Sequence, residues 1–301
     1  MRKHDPIKEL LDKIQSQIDK NYDDIYIFRH NIGESYVELM HLADTIKAND
    51  SKNPLLVLWD KKYAGFYKMF LSDGVDMQYI NLLQVEIQIL PDRKDVVAHN
   101  NQRFICTTPL IAQEMKKLLA TKPDVNFYDY ITNAAGIQKG AVPALPHPCM
   151  QSIRRVKSKV KRIELSEKFI ILCPEATSLK QLTDSFWETL AEGLRKKGYD
   201  IFCNVHDGSI VPKNMKTAKM TIEELFILSK QSEGIITLGS GLAVFLTAAG
   251  VKMDVFYTDF SDKKIGYDAG LALRIYSVHH LPGVSQEEGV ESARIARESI
   301  P

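Results

Sequence analysis

Gly234-Ile-Ile-Thr-Leu238-Gly239-Ser240-Gly241-Leu242-Ala-Val-Phe245-Leu246-Thr-Ala-Ala249-Gly250-Val251 runs for eighteen residues without a charged side chain. A stretch of that length meets the lower limit for a membrane-spanning helix. It also suits a short buried strand followed by a turn and a helix. The Gly-Ser-Gly cluster separates the two readings, because it would break a spanning helix in its middle but makes an ordinary strand-to-helix turn. The stretch therefore predicts a strand over Gly234–Leu238 and a helix from Leu242, the unit of an open α/β sheet.

The flanking sequence repeats that unit. Phe169-Ile-Ile-Leu-Cys173 is a buried-strand run. After it, Ser185-x-x-Glu188 has the form of a capping box, Phe186, Leu190 and Leu194 share one helical face, and Gly198 ends the helix. Asp200–Val205 is the next strand, a polar loop runs to Lys219, and a second capping box, Thr221-x-x-Glu224, opens the following helix. Met253-Asp-Val-Phe-Tyr257 closes the series. Strands separated by crossover helices predict a doubly wound parallel sheet.

The first half follows the same grammar. Asp24–Phe28 and Pro54–Trp59 read as strands, with one helix, Gly33–Ala48, between them, carried by Tyr36, Leu39, Met40, Ala43 and Ile46. Arg103–Thr107 and Pro109–Leu119 read as a third strand and helix, whereas Met77–Leu90 is apolar without a clear period. Arg274–Val278 reads as a late strand-like run, followed by His279 and His280, which have no third ligand at metal spacing. Three prolines within Gly140–Pro148 exclude regular structure, so this segment is the expected linker between domains at 1–150 and 151–301. The basic run Arg154–Arg162 that follows is either a solvated helix face or a phosphate or membrane contact. Ile7, Leu10, Leu11, Ile14 and Ile18 share one face of an amphipathic N-terminal helix, which either docks on the body or lies on a lipid surface.

Composition narrows the function classes. The chain has 301 residues and 39 basic against 38 acidic side chains, a net charge of +1, so it lacks the overall basic charge of many nucleic-acid-binding proteins. Cys106, Cys149, Cys173 and Cys203 form no Cys-x-x-Cys pair, and no secretory h-region opens the sequence. A reduced, cytoplasmic protein is the expectation.

Open α/β sheets bind ligands at the carboxyl ends of their strands, so the turns hold the candidate site residues. Gly239-Ser240-Gly241-Leu242 offers close backbone approach, a capping hydroxyl and unpaired helix N–H groups that suit a phosphate, or else simply makes a tight turn. Pro174–Lys180 carries Thr177, Ser178 and Lys180, a point charge for a diphosphate; Glu175 in the same turn fits less well beside an anion. In the first half Glu34 lies in the first turn of its helix, either as a stabilising carboxylate or as a general base at an interdomain cleft, with His30 and His41 as competitors.

These residues resemble the heptosyltransferase-like glycosyltransferases of the GT-B architecture, which have two Rossmann-like domains facing a cleft. The likeness is strongest over about 165–257. The segment around Gly239-Ser240-Gly241-Leu242 is similar to the family's Asp-Thr-Gly-Leu-Ser-His-Leu. Lys219-Met220-Thr221 looks like its Met-Ser/Thr helix start, and Ile32-Gly33-Glu34 like its Leu-Gly-Asp, whose acid is the family's base. Gly239 stands where the family has Asp, and Phe245 where it often has His.

The resemblance implies an inverting transfer of a sugar from a nucleotide-diphosphate sugar to a hydroxyl of a surface glycan or glycolipid, on an N-terminal acceptor-side domain and a C-terminal donor domain. Glu34 would act as base, and Thr177, Ser178, Lys180, Ser240, Gly241 and Leu242 would hold the diphosphate. Met220 would line the base pocket and Asp207 would reach the ribose. No Asp-x-Asp triplet occurs, so neither a metal nor a cofactor beyond the donor is expected. The expected partners are donor and acceptor, with no nucleic acid and with a peripheral membrane contact as an option. Two alternatives stand beside this reading: a catalytically inert nucleotide-sugar-binding subunit, and a sugar-nucleotide epimerase using His206 and Asp207.

Overall fold

The computed structural model describes residues 5–28, 31–83, 86, 96–106, 112–138, 140–205, 213, 215–261, 268–278, 281 and 290–295. Backbone contacts divide the chain into two units, Met1–Ile111 with Asp129–Pro146, and Ala112–Tyr128 with His147–Pro301.

In the first unit, β1 (Asp24–Ile27) is flanked by β2 (Pro54–Leu58) and β5 (Gln102–Cys106), both parallel to it. β3 (Asp76–Tyr79) extends the β2 side in parallel, and β4 (Val97–His99) closes the β5 side as an antiparallel edge, giving the order β3-β2-β1-β5-β4. All of β1 and β2 is buried, as expected of strands covered on both faces.

The N-terminal helix α1 (Pro6–Gln15) docks on the body. Its Asp5 N-cap accepts from the Ile7 and Lys8 amides, and Leu10, Leu11 and Ile14 are buried against Ile25, Ile27, Leu55, Val57 and Phe104. That apolar face is committed to the core, so the lipid-surface alternative for this helix does not hold. α2 (Ile32–Leu39), α3 (Leu42–Ala48) and α4 (Ala64–Lys68) belong to the same unit. Phe28 meets Tyr67 edge-on at 5.9 Å, and Tyr36 meets Phe70 at 5.9 Å.

The single helix expected over Gly33–Ala48 is thus two helices. The Met40 carbonyl accepts the Ala144 amide at 2.7 Å, and the His41 amide bonds to Glu38 in a tightened turn. A carbonyl captured by a distant segment breaks the ladder although the apolar spacing continues through it.

The second unit holds six parallel strands: β6 (Phe169–Cys173), β7 (Asp200–Asn204), β8 (Lys216–Ala218), β9 (Gly234–Leu238), β10 (Met253–Tyr257) and β11 (Val290–Ile295), in the order β11-β10-β9-β6-β7-β8. The chain steps outward from β6 to β8, then returns to β9 and steps outward on the other side. α5 (Ala112–Thr121) belongs to this unit. The loop after it is tied to α11 (Ala269–Tyr276), because the Pro123 carbonyl accepts from Arg274, and Phe127 stacks on Tyr276 at 5.8 Å.

Two local expectations change here. The helix α8 (Asp184–Lys196) starts two residues early, capped by Thr183, whose hydroxyl accepts from the Phe186 amide at 3.3 Å. Packing of Phe186 and Trp187 edge-on against Phe256 fixes that start. Arg274–Val278 is no strand. Arg274–Tyr276 ends α11, whose Asp268 cap accepts from the Leu271 amide at 2.8 Å, while His279 and His280 lie outside the described residues.

The basic segment after the linker forms α7 (Met150–Arg162), following α6 (Phe127–Ala134), and is anchored on α9 (Ile222–Ser229). Both capping-box bonds of α9 are present. Glu223 accepts from the Cys149 amide at 2.8 Å and from the Ser152 hydroxyl at 2.5 Å; Glu224 accepts from Arg155 at 2.9 Å and from Lys159 at 2.7 Å. Burial pushes the Glu224 pKa up, but the bonds from Lys159, the Thr221 amide and Arg155 outweigh it and hold the carboxyl below its ordinary value. No helix among the described residues is long and apolar enough to cross a membrane.

Candidate functional site

Strand order places the site. In the second sheet the winding direction reverses between β6 and β9, and open α/β sheets take ligands at such a switch point, outside the carboxyl ends of the strands. Two turns flank it: 174–180 after β6, and 239–241 leading from β9 into the short helix α10 (Gly241–Leu246).

The β9 turn is built by sterics. Gly239 is buried, and a Cβ there would lie 2.6 and 2.7 Å from two ring carbons of Tyr257 and 3.3 Å from the Leu179 Cδ1. No real side chain tolerates those distances, so this glycine answers to the ring beside it. Tyr257 is fixed in turn, fully buried with its hydroxyl donating to the Tyr276 carbonyl at 2.8 Å. Burial holds its pKa well above the ordinary value, so it stays a neutral donor. Ser240 caps α10, its hydroxyl accepting from the Ala243 amide at 3.2 Å. Ser240, Gly241 and Leu242 are half-buried.

The β6 turn is stitched to the turn after β10. Leu179 and Phe260 form an antiparallel bridge, the Lys180 amide donates to the Asp259 carbonyl at 2.8 Å, and the Ser261 amide donates to the Ser178 carbonyl at 2.9 Å. The Thr258 hydroxyl donates to the Lys180 carbonyl at 2.7 Å. Lys180 reaches the Asp259 carboxylate at 3.2 Å, and the other oxygen of that carboxylate takes the Ala269 amide at the start of α11, at 3.0 Å. Lys180 is therefore positioned by backbone on one side and by a carboxylate on the other. Thr177 and Ser178 are exposed.

Asp259 has no place among the sequence-derived site residues. A signal for it existed, since Thr258–Ser261 is the turn at the carboxyl end of the expected strand Met253–Tyr257, one strand from β9. Below the turns, Cys173 and Cys203 are buried. Burial pushes the Cys203 thiol up to about 12 and Cys173 also well above its ordinary value, which leaves both as packing groups.

Met220 lies two strands from β6, at the carboxyl end of β8. Its side chain is buried and its amide donates to the Asn204 side chain at 2.9 Å. His206 and Asp207 lie outside the described residues.

The first unit has a switch point of its own, between β1 and β5. α2 starts beyond the β1 turn, with Glu34 half-buried in its first turn and Asn31 giving no side-chain cap. Its neighbours Ser35 and Glu38 are buried, and burial raises the pKa of Tyr67. The Trp59 indole N–H donates to the Phe28 carbonyl at 2.7 Å. His41 is buried at the break between α2 and α3. Burial lowers its pKa against the pull of Asp44, which leaves a neutral group with no route to solvent, so it drops out as a competitor for the base. His30 lies outside the described residues. No group of three or more His, Cys, Asp or Glu among the described residues could hold a metal ion.

No protein-family model and no curated protein matches the sequence. Solved structures do match the fold. The chain is similar to a glycosyl transferase family 9 protein from Veillonella parvula, at a TM-score of 0.51 and 12% identity over 79% of this chain and 82% of that one. It is similar to the ADP-heptose lps heptosyltransferase II of E. coli, at a TM-score of 0.52 and 11% identity over 91% and 90%. It also matches the E. coli heptosyltransferase WaaC with ADP, at a TM-score of 0.50 and 11% identity over 91% of each chain. The two parallel-dominated sheets thus carry the heptosyltransferase-like fold of the GT-B glycosyltransferases.

Proposed function

We propose that this chain is a glycosyltransferase that moves a sugar from a nucleotide-diphosphate sugar to a hydroxyl, with inversion and without a metal. One observation carries the reading: the turns holding Lys180 and Ser240–Leu242 flank the switch point of the second sheet, the position at which this sheet type binds ligands. The likeness to heptosyltransferase structures supports it.

In this reading the amides of Ser240, Gly241 and Leu242, with Lys180, Thr177 and Ser178, hold the diphosphate. They stabilise the negative charge that grows on it as its bond to the anomeric carbon breaks. The acceptor oxygen attacks that carbon from the opposite face and gives its proton to Glu34, the general base. Met220 and Asp207 belong to the nucleoside side. The acceptor class is a surface glycan or glycolipid, and the setting is the cytoplasm.

The test is a thermal-shift screen of the full chain with ADP-, GDP-, UDP- and CMP-sugars, followed by product analysis with the donor that binds. One donor class should raise the melting temperature, and its sugar should be transferred with inverted configuration. Absence of a shift with every class would remove the donor site.

A further inference from the structure

The basic run after the linker takes no part in the proposed transfer, and the structure gives it a specific form. α7 carries six basic and no acidic side chains in thirteen residues. Two of the six are committed inward, Arg155 and Lys159 to Glu224. The other four, Arg154, Lys157, Lys161 and Arg162, are exposed and make no ion pair or side-chain hydrogen bond among the described residues.

At 100° per residue these four fall within about 140° of arc, opposite the buried Ser152 and Val156, and they run about 12 Å along the axis. The inner face is locked on α9 by the Glu223 and Glu224 contacts, so the cationic stripe is held outward on a rigid element.

We propose that this stripe is a docking surface for the anionic head groups of a lipid bilayer. The charge is of one sign and is carried on long, flexible side chains, which suits a layer that demands charge rather than shape. Met150, at the first position of α7 and 64% exposed, adds an apolar side chain able to enter the head-group boundary. A nucleic acid is disfavoured as the occupant. α7 has no aromatic side chain to stack on bases, and its one amide side chain is Gln151. The proposal stands independently of the transferase reading.

Flotation of the full chain with phosphatidylcholine vesicles, with and without phosphatidylglycerol, tests it. The protein should float with the anionic vesicles only and be released as sodium chloride is raised toward molar concentration, because screening shortens the reach of the charges. Each Lys or Arg brought to an anionic surface contributes about fivefold in partitioning. The variant R154Q/K157Q/K161Q/R162Q should therefore lose on the order of several hundredfold, with its melting temperature unchanged. Should that variant fold poorly, K157Q/K161Q should lose about 25-fold by the same rule. Failure of the wild-type chain to float, or equal flotation of a folded variant, overturns the proposal. Retardation of DNA by a chain that ignores vesicles overturns it in favour of a nucleic acid.

Discussion

The two units wind alike and build their switch points differently. Each chain path steps outward over three strands from a central one, then returns to pair on its other side, at β5 in the first unit and at β9 in the second. In the second unit the β6 turn at that point is joined by backbone hydrogen bonds to the turn after β10, Lys180 to Asp259 and Ser261 to Ser178, and the β9 turn holds a glycine pressed against a tyrosine ring. In the first unit the candidate group is a side chain, Glu34, on the first turn of a helix whose Tyr36 packs against Phe70. A fixed array of amides suits an anion that must be held. A carboxylate on a helix suits a proton that must be moved.

If that division of labour is right, the largest effect belongs to the first unit and to turnover. Glu34→Gln should lower turnover by about a hundred- to ten-thousandfold while donor affinity and melting temperature hold. Weakened donor binding in this variant would break the contrast, and full activity would end the base assignment.

Next in size, Lys180→Ala should weaken binding of the nucleoside diphosphate by roughly ten- to hundredfold, the worth of one charge-assisted contact. Calorimetry on the folded variant checks it, and unchanged affinity would take Lys180 out of the site.

Gly239→Ala probes the steric side of the same turn. The added methyl would meet the Tyr257 ring, so we expect a loss of about 1–3 kcal/mol of stability, read from denaturant melts.

The smallest effect contrasts two buried carboxylates. Glu224 has a folded-state pKa below its ordinary 4.5, so its contribution is present above that value and is lost as pH falls through the folded pKa. Asp24 has the opposite sign. Burial holds its pKa above 3.8 despite Arg103, so its contribution to stability falls as pH rises past that value. Glu224→Gln should cost about 1–2 kcal/mol at neutral pH, since Arg155 and Lys159 are partly solvated, and the cost should shrink in acid. Melts of wild type and variant between neutral and acid pH decide it; a cost that grows as pH falls would reverse the sign argued for Glu224.

Much of this was readable from local sequence. The runs Phe169–Cys173 and Gly234–Leu238 are strands because five consecutive buried positions leave no polar face, and Thr221-x-x-Glu224 is a capping box because both partners lie within one turn. The Ser185 box failed for a related reason. Thr183 and Ser185 both carry hydroxyls and bond each other at 2.9 Å, and only Phe186 and Trp187 meeting Phe256, seventy positions away, select the earlier cap.

Most strands, the alternating α/β pattern and the candidate turns were therefore determined by the sequence itself, because they arise between residues a few positions apart. Tertiary structure alone decided the strand order that makes those turns neighbours, the break at Met40 and the pairing of Lys180 with Asp259, 79 residues later. Each depends on groups brought together by backbone hydrogen bonding and packing across the fold, and periodicity along the chain carries no record of which distant partner will close the contact.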